Sequence, residues 1–383
     1  MAGIIFLMHS ESNTGYAIEK LEKIFYRASI DAGFDRDEVF FAYPSIKRGR
    51  PEWMPHDNNN FACFNYRKFS TGDARVFKKY LEDNSVKFVF AFDLQPSNSV
   101  NPLLRSAGVQ RSLSYWGAPM GSMSRPLKLV LKKLEVMLRR SGPDYYIFES
   151  EAMRELAIGG RGIPKKKTII IPTGVDIGRF KPGCASQDFA RECYNIPENR
   201  KIFCYSGHME ERKGVHVIVK AMESLVLGHQ RKDIHFLALG NKHGEEKRFY
   251  DMAPKEVFKY ITFGGYRDDI EEIFDSSYAG IIASSGWDSW PMSVIEMGAS
   301  GLPLIVSRLQ GLLEFVDDDE NGYGFEPGNS MQLSEKMALL ADCPEKASMM
   351  GVNNRKKVVD LYSDVAQQTK LADVIASRLV LSI

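Results

Sequence analysis

Gly286-Trp-Asp-Ser-Trp-Pro-Met-Ser-Val-Ile-Glu-Met-Gly-Ala-Ser-Gly-Leu-Pro303 reads as a strand-to-helix turn built to hold an anion. The apolar run before it, Tyr278-Ala-Gly-Ile-Ile-Ala283, suits a buried parallel strand. Asp288 or Ser289 is placed to cap the helix that follows, and Pro291 falls in its first turn, where a missing N–H costs nothing. Gly301 ends the helix, Pro303 prevents its continuation, and Leu304-Ile-Val306 is the next strand. The turn Pro291-Met292-Ser293 therefore carries open N–H groups and the positive end of the helix dipole. Glu296 follows about 7–8 Å further along the axis, at about 1.5 Å per residue. There it can accept bonds from a ribose whose pyrophosphate rests on the helix end.

Upstream, the α/β rhythm repeats. Lys201-Ile-Phe-Cys-Tyr205 is a strand, and Ser206-Gly-His-Met-Glu-Glu-Arg-Lys-Gly214 is a loop leading into a helix over 214–228. Gly207 followed by Lys213-Gly214 makes a phosphate cradle, with Lys213 as a flexible point charge and Arg212 beside it. Ile234–Leu239 and Tyr260–Tyr266 are further strands, and backbone groups at Gly265-Tyr266 are placed to read a nucleobase edge. Asp317-Asp-Asp319 abuts a turn and is not read as a metal site.

Together these segments resemble the family 4 retaining glycosyltransferases of the GT-B fold. The resemblance rests on Asp288 and Glu296 with Pro291 between them and Gly301-Leu-Pro303 after. It rests also on Gly207, Lys213 and Gly214, and on an interdomain signature at Pro172, Gly174-Val-Asp176, Phe180 and Pro182. Two positions depart from the family: Asp288 replaces the usual Glu and His208 the usual Arg, leaving Arg212 to supply the missing charge. It covers about 168–330 strongly and 1–167 only in outline. It implies two Rossmann-like, doubly wound α/β domains facing a central cleft. The first is 1–172, on which a terminal helix at about 363–383 packs back; the second is 190–362, with the boundary between about 173 and 195.

The implied reaction moves a hexose-type sugar, with retention and without a metal, from a UDP- or GDP-linked donor to an acceptor hydroxyl. The acceptor class is a glycan, a lipid-linked precursor, or a polysaccharide or lipopolysaccharide precursor. Lys213, Arg212 and Asp288 take the catalytic roles. Gly15, Gly207, His208, Gly265, Tyr266, Pro291, Met292, Ser293 and Glu296 bind the donor, and no cofactor beyond the nucleotide-sugar is expected. A degenerate binding or scaffold subunit, or an epimerase or phosphorylase of the same fold, is the alternative.

The first half opens with the strand Ile4–Met8 ending at His9, a polar loop with Gly15, a helix over about 16–32 and the strand Val39–Ala42. Gly15 allows a close backbone approach to a phosphate or sugar. His9, Asp93 and Trp116 stand at carboxyl ends of expected strands and are the acceptor-side candidates. Residues 45–75, with Lys47-Arg-Gly-Arg50, Pro51, Pro55 and Asn58-Asn-Asn60, read as an exposed loop. Arg125–Arg140 is a basic amphipathic helix whose stripe is Leu127, Val130, Leu131, Leu134 and Leu138. It suits either an anionic lipid surface or packing on the sheet, and the strand Tyr145–Phe148 that follows at once favours packing.

At 383 residues the chain has room for two cores. Its apolar runs are too short to span a bilayer. Five cysteines without a CxxC pair suit a reducing cytoplasm, and a place at the cytoplasmic face of the membrane fits the charge. Residues 1–172 hold 26 Lys and Arg against 18 Asp and Glu, whereas the remainder holds 24 against 31. The basic half suits an anionic partner such as a membrane surface, and nucleic acid is not expected.

Overall fold

The computed structural model describes residues 2–54, 60–120, 126–138 and 142–380. The chain divides into two units, Met1–Pro172 with Gln367–Ile383, and Thr173–Ala366. Both are built on all-parallel sheets, with helices between most successive strands. No described helix is long and apolar enough to cross a membrane.

The first unit contains β1 Gly3–Leu7, β2 Val39–Tyr43, β3 Phe61–Cys63, β4 Val86–Phe92, β5 Arg111–Trp116, β6 Tyr145–Phe148 and β7 Thr168–Ile170. Their order across the sheet is β3-β2-β1-β4-β5-β6-β7. Alternation along β1 explains its burial on both faces. Ile4 and Phe6 enter one core with Phe25, Phe41, Phe90 and Tyr115, and Ile5 and Leu7 enter another with Phe77 and Leu81. The first core is closed by Leu371, Ile375 and Leu379 from the helices at the end of the chain, and Gln368 donates to Asp31 at 2.6 Å.

The second unit contains β8 Lys201–Ser206, β9 Ile234–Leu239, β10 Ile261–Gly265, β11 Ala279–Ile282, β12 Leu304–Ser307 and β13 Gly322–Phe325. Their order is β10-β9-β8-β11-β12-β13, so the order reverses between β8 and β11. In doubly wound sheets ligands bind outside the carboxyl ends of strands at such a reversal. The first sheet reverses likewise, between β1 and β4. The two units share the GT-B plan of paired Rossmann-like domains.

Three sequence expectations are corrected. The 45–75 stretch is not simply an exposed loop: Met54 is buried, Trp53 packs on Phe41 and Tyr26, and Phe61–Cys63 forms the edge strand β3. A three-residue strand among proline and asparagine has too little periodicity to read. Pro55, Asn58 and Asn59 lie outside the described residues, as do Arg125, Arg139 and Arg140 of the basic helix.

Residues 173–189 belong to the second unit, which begins at Thr173 rather than 190. Val175 bonds with Tyr362 and Asp364 in a bridge to Ser363, and Arg355 donates to the carbonyls of Phe180 and Ile177. Third, the helix Pro126–Leu138 does not lay its leucine stripe on the sheet: Leu127, Val130, Leu131, Leu134 and Leu138 are all exposed.

Candidate functional site

The loops after β8 and β11 meet at the carboxyl edge of the second sheet. Ser285 and Gly286 both donate backbone N–H groups to the carbonyl of Arg212, at 2.8 and 3.2 Å. Gly214 makes this approach possible. Its φ is +74°, and a Cβ there would collide with the carbonyl oxygen of Ala283. The chain then enters the helix Val215–Glu223, whose inner face is core.

The joined loops hold an ion pair. Lys213 Nζ lies 2.8 Å from Asp288 Oδ2, and their side chains are only 16% and 7% exposed. Ser284 Oγ donates to the same carboxylate oxygen at 2.6 Å. A buried carboxylate so paired is held rigidly, because either partner alone would be a costly uncompensated charge. Its charge, after burial, is the next cause that pushes the Tyr205 phenol far up; Tyr205 in turn donates to the carbonyl of His208 at 2.7 Å. Arg212 is half-exposed and bonds outward, from Nε to Glu210 at 2.7 Å and from Nη1 to the Trp287 carbonyl at 3.1 Å. His208 is exposed.

Asp288 does not cap the next helix, nor does Ser289. The helix is Met292–Ala299, and Pro291 is its cap residue in extended conformation, one position earlier than its place in the first turn required. No side chain caps this end, so the first-turn N–H groups, beginning at Met292 and Ser293, keep the dipole's positive end open. Both residues and Glu296 are partly buried. The turn is braced from behind. Trp290 donates to the Thr173 carbonyl at 3.3 Å and packs on Tyr362, and a Cβ on Gly311 would collide with the backbone of Asp288 and Ser289.

Two glycines of the expected donor site have their own N–H groups engaged within the protein. Gly207 N–H goes to the Leu239 carbonyl at 3.1 Å, so it is not open to a phosphate. Gly265 N–H goes to Asn241 Oδ1 at 2.8 Å, and its carbonyl accepts from Gly240. Tyr266 alone of that pair stays outward, 80% exposed. Sequence reading missed Ser284 and Asn241. Ser284, directly after the apolar run 278–283, carried the only positional hint.

The other candidates belong to the first unit. Gly15 is the exposed cap residue of the helix Tyr16–Asp31, with φ +136° and no side-chain cap. His9 follows β1 and stacks edge-on with Phe92; burial and the Arg67 charge lower its pKa. Asp93 follows β4 in the left-handed region at φ +47°, a conformation few non-glycine residues hold. Arg67 lies 3.3 Å from its Oδ2, and burial raises its carboxyl pKa. His9 Nδ1, Ser10 Oγ and Asp93 Oδ1 are buried with no hydrogen-bond partner among the described residues. Trp116 is a correction: it sits in a core with Phe148 and Met153, its indole donating to Ser114 at 2.8 Å.

Asp317, Asp318 and Asp319 are each paired with a cation, namely Lys357 at 2.7 Å, Arg308, and Lys346 at 2.6 Å. Among the described residues no cluster of three or more His, Cys, Asp or Glu is arranged to hold a metal.

Residues 186–357, which include the ion pair and both loops, match the family model for glycosyl transferases group 1. Over that stretch the chain is similar to the group 1 glycosyl transferases. The chain is 23% identical over 259 residues to the Escherichia coli UDP-Gal:alpha-D-GlcNAc-diphosphoundecaprenol alpha-1,3-galactosyltransferase, covering 67% of this chain and 66% of that one. It is 25% identical to a GDP-mannose-dependent alpha-(1-6)-phosphatidylinositol monomannoside mannosyltransferase of Mycobacterium tuberculosis, over 79% of each. The match spans between 44% and 66% of the length of the first three curated relatives. Its fold is similar to that of a solved glycosyltransferase from Rickettsia africae, at 17% identity, TM-score 0.78 and 98% coverage of both chains.

Proposed function

We propose that this protein transfers a hexose-type sugar, with retention, from a UDP- or GDP-linked donor to a hydroxyl of a lipid-linked or glycan precursor. The observation that carries this reading is the buried Lys213–Asp288–Ser284 group on one side of an uncapped helix start, with Glu296 further along the helix. In this reading the diphosphate rests on the N–H groups of Met292 and Ser293. Arg212 and Lys213 neutralise the charge that grows on the leaving phosphate. Asp288 orients Lys213 and meets the donor sugar, and Glu296 takes the ribose hydroxyls.

Oriented amides and two cations supply the electrostatics that a divalent ion would otherwise give, so the reaction runs in chelator. The donor and acceptor classes are supported by the relatives, one named for UDP-Gal and a diphosphoundecaprenol sugar, the other for GDP-mannose and a phosphatidylinositol mannoside. His9, Ser10 and Asp93 are assigned to acceptor hydroxyls, because their unpartnered buried atoms are those a polyhydroxyl ligand satisfies.

The test is incubation with UDP- and GDP-hexoses and a polyprenyl-diphosphate sugar in EDTA, with the product's anomeric coupling read by NMR. The reading expects one donor to be consumed and its anomeric configuration kept. Binding of UDP or GDP with no product across the acceptor panel, or an inverted product, overturns it.

A further inference from the structure

The helix Pro126–Leu138 turns its apolar side outward. Leu127 is 81% exposed, Met137 71% and Leu138 73%, and Val130, Leu131 and Leu134 are exposed with them. At about 100° per residue these six fall on one arc of about 120°. The opposite arc is the packed one: Leu129 and Val136 are partly buried, and Val136 joins the core of Trp116, Phe148 and Met153. The helix is thus held by its narrow side and offers its broad apolar side to the surroundings. Among the described residues, no hydrophobic cluster includes any of the six.

Charge identifies the occupant. Lys128 lies past the stripe on one side, with Glu135 between them, and Lys133 lies on the other; Glu135 is the only acid between 126 and 138. Lys133 lies across Gly162, and Lys165-Lys166-Lys167 begins three residues later. Residues 1–100 hold 13 basic and 13 acidic side chains, whereas residues 101–172 hold 13 basic against 5 acidic. The basic surplus of residues 1–172 therefore falls wholly on the part of the chain that carries this helix. A second copy docking through the same stripe would set these lysines against their own counterparts. A surface of anionic lipid accepts both the apolar stripe and the lysine border.

We propose that Leu127, Val130, Leu131, Leu134, Met137 and Leu138 insert into the headgroup boundary of an anionic membrane, with the flanking lysines on lipid phosphates. This deepens the transferase reading by naming the surface on which a lipid-linked acceptor is met. Its observations are independent of that reading, and its test needs neither donor nor acceptor.

The full chain is sedimented with phosphatidylcholine vesicles with and without phosphatidylglycerol. It is expected to bind only the anionic vesicles, and less so as salt rises. Leu127→Gln/Leu131→Gln and Lys128→Glu/Lys133→Glu should each lower the bound fraction about tenfold. The leucine pair is exposed, so its loss should leave the melting temperature and UDP or GDP binding unchanged. A Leu131→Trp reporter should shift to the blue on anionic vesicles alone. Equal binding to neutral vesicles, wild-type binding by the leucine variant, or a dimer in light scattering that this variant dissolves would each overturn the proposal.

Discussion

The two units reverse strand order at corresponding places, between β1 and β4 and between β8 and β11, yet they treat the polar groups there in opposite ways. In the second unit the loops satisfy one another: Lys213, Asp288 and Ser284 form one bonded group, and Arg212 takes two N–H groups from the opposite loop. In the first, His9, Ser10 and Asp93 have buried atoms that no group among the described residues meets, and Asp93 holds a positive φ. A site that takes an invariant diphosphate gains from being preorganised before the ligand arrives. A site for acceptor hydroxyls completes its bonds with the ligand, and this contrast is the proposed division of labour.

The largest expected effect breaks the preorganised side. Lys213→Met/Asp288→Leu removes both charges together, so no buried charge is stranded and the melting temperature should stay within a few degrees. Transfer should fall by about a thousandfold, in line with the loss of leaving-group stabilisation. Lys213→Ala alone should also cost about 3–5 kcal/mol in stability, because Asp288 stays buried. Denaturant melts and initial rates on the two variants separate the contributions, and an active double variant would end the assignment.

Next, Asp93→Asn should lower kcat/KM for the acceptor about tenfold while leaving UDP or GDP affinity alone. An unchanged acceptor parameter would remove Asp93 from the acceptor side.

The smallest effect is in stability, and its sign differs between the units. Burial pushes Glu22, which accepts from Trp53 at 2.8 Å, up to about 7. Between the ordinary carboxylate range and pH 7 the folded chain keeps a proton that the unfolded chain has lost. Stability from this site therefore falls as pH rises through that window. Glu22→Gln should gain about 2–3 kcal/mol on wild type between pH 5 and 8 in urea melts. His235, bonded to Thr262 in the second unit, is lowered to about 3 by burial and the nearby Arg200. The unfolded imidazole binds a proton below about 6.5 that the folded one refuses, so stability here falls with acid. His235→Asn should flatten that acid limb and leave the Glu22 limb in place.

The second unit was the more legible in sequence because its chemistry is local. Lys213-Gly214 and Asp288 through Glu296 sit within short loops whose strand-turn-helix context is written in neighbouring residues. Local spacing does not say which partner an N–H takes, and so the bonds of Gly207 and Gly265 are not legible in it. Their bonds go to Leu239 and Asn241, on or just beyond β9. The same limit misplaced the leucine stripe of Pro126–Leu138. Periodicity finds an apolar face but does not tell whether protein covers it. Ser284 escaped notice because a serine after a strand has no spacing signature; only its 2.6 Å bond to Asp288 marks it.

The most direct test of the account is titration of the purified chain with UDP and with GDP by calorimetry in EDTA, on wild type and on Glu296→Ala. One of the two diphosphates should bind wild type without a divalent ion, and the variant should bind it about tenfold or more weakly through the lost ribose bonds. Binding that appears only when a divalent ion is restored, or an unchanged affinity in Glu296→Ala, would contradict a diphosphate held by the Met292–Ala299 helix start beside Lys213.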